Sequence, residues 1–135
     1  MASFTYTAWT NGSATQLLEK LKHLFDQRNF SMKNPQSGMC HVWNGEGECR
    51  QIDADSLQTI QEEKLPLGIQ WWRGGEDIFV TLAANKSVGG TNCNVRLVAL
   101  TREEEAEIAK LMILHIVPEK NVFPDDFPVF QLDAQ

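Results

Sequence analysis

The sequence predicts an α+β fold, with residues 1–135 forming one domain in which two main helices pack on an antiparallel sheet of about four to six strands. Three observations predict it. Between Leu65 and Leu100, apolar and polar residues alternate at strand period around Gly74-Gly75, a two-residue loop that accepts positive φ at both positions, as a type I′ turn requires. Ser13 to Phe25 and Thr101 to Ile116 each open with a capping signal and continue with apolar residues at helical spacing. No linker, internal repeat or low-complexity run divides the 135 residues, a length that buries a core without disulfides or metals.

In chain order, Phe4, Tyr6 and Ala8 alternate with Thr5 and Thr7, which predicts a short first strand ending before Asn11-Gly12. A helix follows. Ser13 is placed to cap it and Gln16 to reach back, while Leu17, Leu18, Leu21, Leu24 and Phe25 share one face that needs a sheet to cover. Asn34-Pro35 and Ser37-Gly38 mark turns, with Phe30 and Met32 as a brief strand before them. Cys40 to Val42 and Glu48 to Ile52 then make a hairpin around Asn44-Gly45-Glu46-Gly47. Asp53 to Lys64 carries Leu57 and Ile60 at helical spacing, with Asp55 as N-cap, and predicts a short helix leading into Pro66.

Closing the central hairpin on Gly74-Gly75 pairs Arg73 with Glu76, Trp72 with Asp77 and Trp71 with Ile78. Leu67, Ile69, Trp71, Ile78, Val80 and Leu82 then share one side, a register that a slip of one residue would destroy. Gln70, Trp72, Asp77, Phe79 and Thr81 form a mixed opposite side. After a loop on Gly89-Gly90, Val95 to Leu100 supply the next strand. Thr101 and Glu104 form a second capping box, and Glu103, Glu104, Glu105 and Glu107 crowd the positive end of that helix. From Ile108 to Ile116 the helix is apolar nearly all round, which predicts burial on more than one side, or a homodimer interface through Ile108–Ile116. Pro118 ends it. The tail holds Val122, Phe123, Phe127, Val129 and Phe130, too apolar to stay free, and is expected to dock.

The net charge of −6 disfavours nonspecific binding to nucleic acid or an anionic membrane and suits a basic protein partner. The start, Met1-Ala-Ser-Phe-Thr-Tyr, lacks a basic segment followed by an apolar run, and the three cysteines (Cys40, Cys49, Cys93) make no CxxC pair. Both points suit a cytoplasmic protein with free thiols. Cys40-His41 with Cys49 supplies too few ligands for a structural zinc site, which takes four. On a strand Cys40 and His41 point to opposite faces, so they do not make a nucleophile and its base. Gly74-Gly75 and Gly89-Gly90 match no phosphate-binding loop, and no catalytic motif is recognisable. No cofactor or metal is expected.

The informative feature is charge placement. Residues 46 to 63 hold Glu46, Glu48, Asp53, Asp55, Glu62 and Glu63 against Arg50, a balance of −5, whereas residues 1 to 45 balance at +2. Beside that acidic stretch, Trp43 and Trp72 are candidate aromatic anchors, and the eight residues together suit a protein interface. The profile is similar to that of bacterial immunity proteins: small, acidic and without catalytic motifs. It implies a protein-binding module that neutralises a basic toxin or effector domain. Ala14–Phe25 followed by Cys40–Ile52 also resembles the opening of small acidic type III secretion chaperones, although the hairpin at Gly68–Leu82 stands where those have helix. An enzyme using Cys40, His41 and Cys49 is the remaining alternative.

Overall fold

The computed structural model describes residues 4–134. Met1 to Ser3, used above in reading the amino terminus, lie outside it. Seven strands form one sheet: β1 (Phe4–Thr10), β2 (Cys40–Trp43), β3 (Cys49–Ile52), β4 (Leu67–Arg73), β5 (Glu76–Ala84), β6 (Thr91–Val98) and β7 (Phe130–Ala134). Their order across the sheet is β3-β2-β4-β5-β6-β1-β7, and every neighbouring pair is antiparallel. Helices α1 (Ala14–Asp26) and α2 (Arg102–His115) complete the α+β domain.

The central hairpin has the register its pattern dictates, from Leu67 opposite Leu82 to Arg73 opposite Glu76. Gly74 alone adopts positive φ, 59°, so the loop follows the type II′ rather than the I′ pattern. Both turns match the twist of the strands, and the pairing is unchanged. Ile69, Trp71, Ile78, Val80 and Leu82 are all buried, and β6 adds Cys93, Val95 and Leu97 to the same face.

Both helices lie on this inner face. Ser13 accepts from the Gln16 amide while Gln16 Oε1 accepts from the Ser13 amide, so the first capping box is complete. The α1 stripe, Leu17, Leu18, Leu21, Leu24 and Phe25, is buried over β4 and β5, with Phe25 edge-on to Trp71 at 5.0 Å. At α2, Thr101 caps the Glu104 amide, but the Glu104 carboxylate does not reach back. It instead bridges Arg28 Nη2 and Arg73 Nη1, each at 3.0 Å, and so joins α2 to the end of α1 and to the central hairpin. Tyr6 Oη donates to the Glu105 carbonyl at 2.6 Å and ties α2 to β1.

Four further expectations need correction. The sheet has seven strands, because the tail docks as a strand: β7 pairs along β1, and Phe127 packs edge-on against Trp9. Asp53 to Lys64 forms two 3₁₀ turns, 54–56 and 62–64, rather than a helix, and Asp53 rather than Asp55 is the N-cap. Leu57 and Ile60 are still buried, so their spacing reported burial and not helicity. Phe30 and Met32 are also buried, but the segment makes only a single bridge, Ser31 to Trp72. Finally, α2 buries one side: Ile108 and Met112 are covered, and Ile116 after them, whereas Ile113 is 50% and Leu114 61% exposed.

Candidate functional site: the uncovered face of the sheet

Strand alternation gives each strand a second set of side chains, and both helices lie on the inner side. Over its centre the outer face is covered by no described helix, whereas at its β1 end Trp9, on the same face, is buried against Phe127 and donates Nε1 to the Gly89 carbonyl at 2.8 Å. One row across it runs Cys49, Trp43, Gly68, Thr81, Asn94, Thr7 and Gln131. The next runs Gln70, Phe79, Arg96, Thr5 and Asp133.

The centre of this face is aromatic. His41 meets Trp72 edge-on at 4.9 Å, and Trp43 meets Phe79 at 6.2 Å. All four rings are half-buried although no described element covers them. Gly68 makes the second pair possible. A Cβ there would lie 2.7 Å from Phe79 Cζ and 3.1 Å from Trp43 Cβ, so the bare backbone gives these side chains room to cross β4. A polar chain threads the rings: Trp43 Nε1 donates to Gln70 Oε1, and Gln70 Nε2 donates to Asp77 Oδ2, both at 3.3 Å. The Arg96 guanidinium sits 5.8 Å from the centre of the Phe79 ring. The result is an amphipathic floor with its orientation fixed by hydrogen bonds. Aromatic side chains held in this way offer large contact area at little further entropic cost on binding.

The eight residues singled out by sequence do not converge on one patch. Trp43 and Trp72 lie on the outer floor. Glu46 and Glu48 occupy the β2–β3 turn, where Asn44 Nδ2 donates to Glu48 at 3.2 Å; with Glu63 they line a cavity of about 540 Å³ at that edge of the sheet. Asp55 lines a separate cavity of about 580 Å³, beside α1 and above Trp71. Asp53 and Glu62 have local structural work. Asp53 caps its 3₁₀ turn, and Glu62 Oε1 accepts from the Ala14 amide at 3.0 Å, at the positive end of α1. His41, Phe79, Gln70 and Arg96 complete the floor and were not in the candidate set. A glycine inside a strand, Gly68, was the available signal for the close crossing.

Cys40 faces the core, and burial pushes its thiol up to about 11, Lys22 lowering it and Cys49 raising it less strongly. Its neighbour His41 is on the outer face. Cys49, opposite Trp43, is also on the outer face, so Cys40 and Cys49 do not face each other and all three thiols are free. Among the described residues, no three His, Cys, Asp or Glu side chains converge as metal ligands. No helix among them is long and apolar enough to cross a membrane. Comparison with protein-family profiles, with curated proteins and with solved structures gives no match to this chain.

Proposed function

We propose that the protein is a binding module that docks another protein on the outer face of its sheet, acting as an inhibitor or immunity protein toward a basic toxin or effector domain. The observation that supports this reading is the outer floor itself. His41 and Trp72 meet edge-on, Trp43 and Phe79 cross over Gly68 with Trp43 hydrogen-bonded to Gln70, and all four rings are half-buried with no described element over them. Buried tryptophan anchors supply much of the energy of protein interfaces, and charge at the rim mainly sets approach rate and partner choice. Glu46, Glu48 and Glu63 lie at the β2–β3 end of the sheet in a cavity that Arg50 and Lys64 also line, and the acidic excess there suits a basic partner.

The test is affinity capture with the tagged full chain from its own cell lysate at low and then raised salt, with quantitative mass spectrometry. The expected result is one basic protein retained in stoichiometric amount, less at raised salt, whose own activity is suppressed on binding. Retention of nothing, or of a partner whose activity is unaffected, would overturn the inhibitor reading.

A further inference from the structure

The two edges of the sheet differ. β3 is a short edge whose turn carries Glu46 and Glu48 and whose centre carries Arg50, charges that oppose pairing with another strand. β7 is also short, at five residues, and follows Pro128, but within the strand it carries one charge, Asp133, and Gln131 to Ala134 are all exposed. Its hydrogen-bonding phase is fixed by the Trp9 amide, which donates to the Val129 carbonyl at 2.9 Å. Alternation then turns the backbone groups of Gln131 and Asp133 toward β1, and those of Phe130, Leu132 and Ala134 outward. Leu132, the central outward residue, is 50% exposed.

We infer that β7 is a self-association edge whose partner is β7 of a second copy of this chain, paired antiparallel about a two-fold axis through Leu132. This does not depend on the binding role proposed for the outer face. The five-residue segment is complementary to itself in that register. Leu132 meets its own copy, and Phe130, the largest side chain, meets Ala134, the smallest. Gln131 meets Asp133, an amide donor facing a carboxylate. About six interstrand backbone hydrogen bonds would form, using only groups that β1 leaves free. Shifting the axis to Asp133 would set two carboxylates against each other, and shifting it to Gln131 would leave outward groups unpaired. The pairing extends each sheet into the other and keeps both aromatic floors on the same face, because antiparallel neighbours present matching faces. The exposed Ile113 and Leu114 of α2, the other apolar surface, take no part in it.

Sedimentation equilibrium on the full chain across a wide concentration range tests this, alongside three variants. Leu132→Pro removes an outward amide without touching the ladder to β1, and Leu132→Lys is the second blocker should proline perturb the strand. Ile113→Ser with Leu114→Ser probes α2. The wild type is expected to reach twice its 15.3 kDa monomer mass. Either Leu132 variant should raise the dimer dissociation constant by about 100-fold or more with an unchanged circular dichroism spectrum, and the α2 variant should still dimerise. A wild type that stays at monomer mass throughout, or a dimer insensitive to both Leu132 variants, would overturn the inference.

Discussion

The two faces of the sheet are made by alternate residues of the same strands, and they have been put to opposite uses. On the inner face, Ile69, Trp71, Ile78, Val80, Leu82, Cys93, Val95 and Leu97 are shut away beneath two helices. Over the centre of the outer face, rings of comparable size are half-buried, Trp43 is hydrogen-bonded to Gln70 and through it to Asp77, and no described element covers them. Trp71 and Trp72 state the contrast in two adjacent residues. Trp71 is 1% exposed and packs on Phe25, whereas Trp72 is half-buried against His41 on the outer face. The inner face stabilises the fold because it removes apolar area from water. The outer face contributes less to that and keeps its apolar area for contact.

The largest expected effect is on the inner face. Trp71→Ala should destabilise the protein by about 3–5 kcal/mol in urea denaturation, through lost transfer energy and the cavity left under α1, whereas Trp72→Ala should cost about 1–2 kcal/mol or less. Equal costs would erase the distinction between the faces. Next comes the clamp that holds α2 on the inner face. Burial would raise the Glu104 carboxyl, but the hydrogen bonds and charges of Arg28 and Arg73 outweigh it and hold the group below its ordinary value. The bridge therefore contributes its stability above the unfolded carboxyl value and loses it as pH falls through the lower, folded one. Glu104→Gln should cost about 1–2 kcal/mol near neutrality and flatten the acid limb of the stability curve. An unchanged acid limb would remove Glu104 from the account.

A probe of the outer face follows. Gly68→Ala should cost about 1 kcal/mol, because Phe79 must swing aside and Trp43 must shift, and it should alter tryptophan fluorescence. A variant with wild-type emission would mean that the floor does not depend on the glycine. Tyr6 is the chain's one tyrosine, so phenolate absorbance reads it alone. Burial, with a smaller contribution from the Glu105 charge, pushes its phenol up to about 12. Since the folded value exceeds the ordinary one, that contribution is complete below pH 10 or so and is lost as pH rises toward about 12. Ionisation at the ordinary value would show that the link from Tyr6 to α2 is open in solution. The smallest stability effect, within about 0.5 kcal/mol, is expected for Glu46→Gln with Glu48→Gln, which should chiefly slow partner association at low salt.

The inner face was legible in the sequence because its signals are local. Gly74-Gly75 fixes a turn, the turn fixes a register, and the register sorts Leu67 to Leu82 onto two sides before any tertiary contact is known. The Ser13–Gln16 box and its apolar stripe were readable for the same reason. Burial of α2 was not, because Ile113 and Leu114 are as apolar as Ile108, and only the position of the sheet decides which are covered. β7 was hidden by Pro124 and Pro128, which mark its approach as irregular, and its partner β1 lies at the far end of the chain. The floor was legible only in part. Trp43 and Trp72 stand out by type, but their neighbours depend on β2 lying beside β4, a pairing set by long-range packing. The acidic stretch was legible as charge alone. Its dispersal, with Glu46 and Glu48 held in the β2–β3 turn and Asp53, Asp55, Glu62 and Glu63 set apart by the two 3₁₀ turns, depends on folds of the backbone that charge does not signal.

The most direct test of the outer face as a docking surface is a paired capture. The tagged wild type and a Trp43→Ala, Trp72→Ala, Phe79→Ala variant would serve as baits in the same lysate, with the thermal melt of each measured in parallel. The variant is expected to melt cooperatively as a folded domain and to lose the partner that the wild type retains. Equal retention by both folded baits would contradict it and move the interface elsewhere on the molecule.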